Sequence, residues 1–449
     1  MNLDQTQNIL AFAQQQRQKL FQQLPANSAV LVASGHEKIR NRDVEYPFRA
    51  DSDFSYLTGF YEPDSVLLLV KKHDNHATLF VRPKDPEQET WQGRRLGVDM
   101  APQMLAVEQA CSIDDLDEVV LASLENIENL YFSFSQIGEW MELVENWLSG
   151  LKANVRKGVS APSKLCDLDE IMHENRVIKS PQEIDWMRHA AQITVQGHLA
   201  AMQSVAPGMY EFQVQSALEN QFKMLGSPRV AFSTIAASGD NACILHYTEN
   251  TDLIGEHHLV LLDAGAEMHG YAGDITTTFP ASGRFTKEQA QLYSLVLEAQ
   301  QTAIKFIQPG NAYNMPHQAV LKVLTRGLVE LGILKGEVET LIKEEAYKPF
   351  FMHGTGHWLG MDVHDVGLYK LNSQWRALES GMVLTVEPGL YIAPESPGVD
   401  ERWQGIGIRI EDDVLVTENG CEVLTVGLPR TVTEIESWMA KHNQNLISR

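Results

Sequence analysis

Residues 257–280, HHLVLLDAGAEMHGYAGDITTTFP, form two strand-like runs around the turn-like EMHG, and each run carries an aspartate. Asp263 ends the apolar run LVLL, and Asp274 sits in a threonine-rich run. A hairpin centred between Met268 and His269 places the two directly opposite each other, with Cβ atoms about 5 Å apart. Carboxylates that close repel and raise each other's pKa unless a cation lies between them. Two solvated loop acids are the bland alternative. Acids embedded in strands read better as metal ligands, with His269 solvated in the turn.

Two later strands repeat the pattern. In GMVLTVEPGLYIA (381–393), Val383, Thr385 and Glu387 share one face, and Met382, Leu384 and Val386 the other. In GIGIRIEDDVLV (405–416), Ile406, Ile408 and Ile410 form an apolar face, leaving Gly407, Arg409 and Glu411 opposite. An acid ending an otherwise apolar strand implies a partner, because a core does not tolerate unpaired charge. Asp263, Asp274, Glu387 and Glu411 with an imidazole supply what two divalent cations need. Carboxylates favour Mn2+ or Mg2+, and the imidazole tilts the choice toward a transition ion. Such a pair, roughly 3.5–4 Å apart, can generate hydroxide, polarise a carbonyl and steady an oxyanion.

The imidazole comes from FMHGTGHWLGMDVHDVG (351–367), which holds His353, His357 and His364. His353 and His357 have the spacing of a zinc helix, but Gly354 and Gly356 break a helix and no Glu follows His353. The carboxylates leave room for about one imidazole among the ligands.

The 449 residues suggest two domains. Residues 1–176 read as mixed α/β: a helix over 5–24, strands at 28–34, 65–71 and 77–83, then helical stretches near 100–110 and 137–150. Residues 177–449 begin with Ser180-Pro181-Gln182-Glu183, a capping box with proline in the first turn, and Thr286 with Gln289 opens a second helix the same way. Lys+Arg total 36 against 59 Asp+Glu, a net charge of −23 that argues against a nucleic-acid partner. The four cysteines lack any CxxC, the N-terminus lacks a signal-peptide pattern, and no apolar run approaches the ~18 residues of a membrane span. A cytoplasmic location is expected.

The ordered set DAG…D, HGxGH, EPG and IRIED resembles the metallopeptidases of the creatinase/aminopeptidase, or "pita-bread", fold, and within them aminopeptidase P, the Xaa-Pro aminopeptidase family. CILHYTEN (243–250) and the leading stretch EYPFRADSDFSYLTGFYEPDSVLLLV (45–70) extend the resemblance over nearly the whole chain. It implies an α/β (α+β) architecture: a non-catalytic domain at 1–176, then a catalytic domain at 177–449 with a curved, mainly antiparallel sheet and covering helices. It also implies release of the N-terminal residue from peptides with proline second, by attack of a dimetal-bridging hydroxide. Asp263 would serve one metal, His357 and Glu387 the other, and Asp274 and Glu411 both; Mn2+ is the expected ion. His246, His353 and His364 would face substrate and intermediate, Glu387 would relay a proton, Arg409 would hold Asp263, and Tyr391 and Trp91 would line the pocket. A homodimer or homotetramer is implied as well. The rivals are a prolidase cleaving Xaa-Pro dipeptides and a pita-bread binding protein without activity. Trp358 in GHWLG and the leading stretch favour the aminopeptidase over the first, and the filled ligand positions disfavour the second.

Overall fold

In the computed structural model, residues 3–443 are described. The chain divides into two compact units, Met1–Asn175 and Arg176–Arg449.

The first unit is built on a six-stranded mixed sheet. Its order is Gln109–Ser112, Asn75–Val81, Val66–Lys71, Ser28–Ala33, Asn129–Phe132 and Lys164–Asp167. The central Ser28–Ala33 strand runs antiparallel to Val66–Lys71 and parallel to Asn129–Phe132. Its Ala29 and Leu31 pack with Leu68, Phe80, Leu130, Trp140 and Trp147. The helix expected near 100–110 is a single turn, Ala101–Leu105. Ala106, at φ 50°, ends it in a left-handed conformation, and Gln109–Ser112 instead pairs in parallel with the Asn75–Val81 edge. Tertiary pairing overrides local helical pattern here.

The second unit is antiparallel in every strand pairing among its described residues. Leu259–Ala264 lies between Ile235–Ser238 and Ile275–Pro280. Val383–Val386 pairs with Asp412–Thr417, and Gly389–Ile392 with Ile406–Arg409. Ile406, Ile408 and Ile410 all enter the core, so the alternation read from the sequence leaves Arg409 and Glu411 on the other face. Long helices pack around these strands. Pro181–Ser204 starts with the Ser180/Glu183 capping box, and Lys287–Ile304 with that of Thr286 and Gln289. The core thus holds one face of each strand rigid, and the opposite faces converge on a cavity.

Candidate metal centre and active site

The 259–280 hairpin sets the site's geometry, and its register differs from expectation. Met268 pairs with Tyr271, so His269 and Gly270 form a two-residue turn, with φ of 55° and 82°. Positive φ at both central residues is the type I′ turn, whose twist matches that of the flanking strands. This centres the hairpin one residue later than the sequence reading did, and Asp263 opposes Thr276 rather than Asp274. The shift moves each partner by two, so parity is kept: Asp274 lies diagonal to Asp263 on the same face. Near Asp274 the ladder is interrupted. A Cβ on Gly265 would lie 1.6 Å from the Gly273 carbonyl oxygen, so only glycine permits this crossing. The Asp274 amide donates to Asp413 Oδ2 at 3.1 Å instead of to a strand. His269, expected to be solvated, is half-buried, its ring 5.9 Å from those of both Trp186 and His189.

Thr276 Oγ1 donates to Glu411 Oε2 at 2.6 Å and accepts from Arg409 Nε at 3.2 Å. Arg409 Nη2 donates to Asp263 Oδ2 at 2.6 Å, and Nη1 to the Tyr391 hydroxyl at 3.0 Å. That hydroxyl is 2.8 Å from His353 Nε2, while His353 Nδ1 is 2.6 Å from the Gly354 carbonyl. These partners assign the proton to Nδ1, which makes Tyr391 the donor to Nε2. One hydrogen-bonded chain therefore runs Asp263–Arg409–Tyr391–His353. Burial and then the Arg409 charge push the His353 pKa down to about 4, so the ring is neutral.

His357 approaches from the Gly354–Gly356 side of the cavity. Its Nδ1 is 3.0 Å from the Trp358 carbonyl, and its Nε2 is 3.5 Å from both Asp274 Oδ2 and Glu387 Oε1. A proton on Nδ1 leaves the Nε2 lone pair aimed at the acids, the arrangement typical of a metal-ligating imidazole. Thr385 Oγ1 accepts from the His357 amide at 3.1 Å and donates to Glu387 Oε1 at 3.3 Å.

Asp274, His357 and Glu411 each place a ligand atom within 4.8 Å of the others. Burial, reinforced by Asp263 and Asp413, raises Asp274 well above the ordinary carboxylate range. Burial does the same to Glu411, reinforced by Asp274 and Glu387, and burial raises Glu387 as well. Asp263 Oδ1 and Asp274 Oδ1 are buried without a hydrogen-bond partner. Orphaned oxygens in a crowd of acids are what divalent cations satisfy, so the donor set fits such ions.

The cavity, about 460 Å³, is lined by Asp263, Asp274, Glu387, Glu411, Arg409, His246, His353, His357 and His364, with Phe232, Ile235, Leu245 and Val363 as an apolar wall. His364 stands with its ring 4.5 Å from that of His357 at 85°, and burial followed by the His357 charge lowers its pKa. One expected pocket residue of the second unit lies elsewhere. Tyr391 is fully buried behind His353 and Arg409, its hydroxyl consumed by them. Trp91 is 84% exposed on Pro86–Gln92, a helix of the first unit with no buried residue. The sequence reading missed Thr276, Thr385 and Asp413. Thr276 and Thr385 share faces with ligand residues and were recoverable from alternation; Asp413 was hidden behind its neighbour Asp412 in an acidic pair.

The model of metallopeptidase family M24 matches residues 185–418, and that of the aminopeptidase P N-terminal domain matches residues 13–131. The chain is 46% identical to the Xaa-Pro aminopeptidase of Haemophilus influenzae over 427 residues, 95% of this chain and 96% of that one. It is 44% identical to the Xaa-Pro aminopeptidase of Escherichia coli over 428 residues, 95% and 97% of the two chains. The structure of Pseudomonas aeruginosa aminopeptidase PepP superposes with a TM-score of 0.95 at 44% identity, covering 96% of this chain and 98% of that one. The second unit thus carries the expected pita-bread fold. With both units matched and the acids gathered in one cavity, this chain belongs to metallopeptidase family M24 and, within it, to the Xaa-Pro aminopeptidases.

Proposed function

We propose that this aminopeptidase uses two divalent cations, one held by Asp263, the other by His357 and Glu387, with Asp274 and Glu411 shared between them. The observation that carries this reading is the pair of buried, partnerless oxygens, Asp263 Oδ1 and Asp274 Oδ1, among acids whose pKa values burial raises. Carboxylate-rich ligation with one imidazole favours Mn2+. When bound, the cations keep the acids ionised, lower the pKa of a water and polarise the scissile carbonyl.

The chain's own groups do the rest. Arg409 orients Asp263, and Thr276 and Thr385 orient Glu411 and Glu387. Asp413 holds the Asp274 amide. An Xaa-Pro bond has no N–H to donate, so the substrate is selected by shape, and Phe232, Leu245 and Val363 supply an apolar wall for the proline ring. The leaving proline nitrogen needs a proton, which His246 or Glu387 at the cavity wall can deliver. His364 faces the substrate, while His353 forms part of the wall and steadies Tyr391 and Arg409.

The test is hydrolysis of Arg-Pro-Pro and of Xaa-Pro dipeptides by chelated and Mn2+-reloaded enzyme, with metal counted by elemental analysis. About two ions per chain and tripeptide cleavage restored by Mn2+ are expected. Activity surviving complete chelation refutes the metal mechanism, and dipeptide cleavage alone would favour a prolidase. All four cysteines are unpaired, which supports a reducing, cytoplasmic setting, and no described helix is long and apolar enough to cross a membrane. A homodimer or homotetramer is the assembly we expect, to be checked by light scattering.

A further inference from the structure

One buried charge cluster of the catalytic unit is unused by the site described above. Lys179 Nζ donates to Asp365 Oδ2 at 2.9 Å and Arg176 Nη2 to Asp365 Oδ1 at 2.6 Å, with none of the three side chains more than 4% exposed. Arg176 Nη2 also donates to Asp362 Oδ2 at 2.7 Å. The Asp362 amide points back at Asp365 Oδ1, 3.4 Å away, so the 362–365 turn wraps around the Asp365 carboxylate. Between the two acids lie Val363 and His364, both facing the catalytic cavity. The turn is tied down at either end. The Asp365 amide donates to the Trp358 carbonyl at 2.9 Å, and the Gly360 carbonyl accepts from the Ala272 amide of the hairpin at 2.8 Å.

Fold stability does not account for such a cluster. Burying ion pairs costs about as much in desolvation as the attraction returns, and well-packed apolar replacements are often neutral or stabilising. What charge gives here is direction. Two cations grip one oxygen each of a single carboxylate, a fixed arrangement that apolar packing does not reproduce. Although burial pushes Asp365 up, Lys179 and Arg176 outweigh it and hold the acid below its usual pKa, so it stays ionised.

We propose that Lys179 and Arg176, acting through Asp365, are positioning residues for His364, fixing the 362–365 turn so that the imidazole meets the substrate. This rests on the reading of His364 as substrate-facing. The test is a mutant cycle on the Mn2+-loaded enzyme with an Xaa-Pro-Yaa peptide. Lys179→Met/Asp365→Leu, which leaves Arg176 paired with Asp362, should lower kcat/KM by about 10–100-fold with wild-type metal content. In a His364→Ala background the same pair should cost less than about 2-fold, because residues acting through one group are not additive. Should the double variant fail to fold, Lys179→Arg replaces it. Its displaced charge is expected to cost about 3–10-fold alone and almost nothing in the His364→Ala background. Full activity of the double variant, or equal losses in both backgrounds, overturns the proposal. Full activity of His364→Ala alone would instead overturn the substrate-facing reading, which separates the two failures.

Discussion

Replacing Asp274 by Asn in the metal-free protein should stabilise it, although the same change should abolish metal binding and turnover. Asp274 and Glu411 offer oxygens within 4.8 Å of each other in a buried cavity. At an effective dielectric constant of about 20, two unit charges at that distance repel by about 3.5 kcal/mol. A carboxyl can escape part of this by keeping its proton, at about 1.4 kcal/mol per pKa unit, so relief of about 2–3 kcal/mol is expected above neutrality. The sign with pH follows from the raised acids. Asp274, Glu387 and Glu411 all titrate above their ordinary values of 3.8 to 4.5 when metal is absent. Between those values and the raised ones the native state binds more protons than the unfolded state, so metal-free stability falls as pH rises through that window. Asp274→Asn removes one contributor and flattens the slope. Differential scanning calorimetry in chelator should show the variant melting about 5 °C higher than wild type at pH 8, with the gap shrinking toward pH 5. With Mn2+ present the order should reverse. A metal-free variant melting at or below wild type at pH 8, or a gap independent of pH, would refute the crowding of acids as the reason for their raised pKa values.

Other changes probe the surrounding hydrogen bonds. Arg409→Lys keeps the charge but not the guanidinium that reaches Asp263, Tyr391 and Thr276 together, and should lower kcat/KM by about 10–100-fold, measured on the tripeptide. Tyr391→Phe leaves His353 Nε2 and Arg409 Nη1 buried without their partner, and should cost about 1–3 kcal/mol in urea unfolding. His353→Ala should impair turnover while elemental analysis still finds near wild-type metal. His269→Val forces a β-branched residue to φ 55° and should destabilise by about 1–3 kcal/mol, whereas His269→Asn should be neutral by the same unfolding assay.

Much of this site was legible in the sequence because strands impose a period of two. Alternation placed Arg409 beside Glu411 and opposite the Ile406–Ile410 face, and it kept Asp263 and Asp274 on one face even though the hairpin centre was misjudged by one residue. Turn geometry is decided by backbone dihedrals, and nothing in EMHG distinguishes a turn at Met268-His269 from one at His269-Gly270 except the glycine's tolerance of positive φ. Side chains meeting across distant segments left no such trace. The resemblance implied that Tyr391 lines the pocket, yet its hydroxyl is taken up by Arg409 and His353. Asp413 holds the Asp274 amide across 139 positions of chain, a contact that only the tertiary fold creates.

That separation has a kinetic consequence. Asp263 and Asp274 come from one local hairpin, which can close early because its loop is short. Glu411 reaches Thr276 across 135 positions and Arg409 reaches Asp263 across 146, contacts that form late because long loops must close first. A cation that needs both halves finds its full set of ligands only in the nearly finished native state. It should therefore act as a latch rather than a nucleus, slowing unfolding many-fold while leaving the refolding rate almost unchanged.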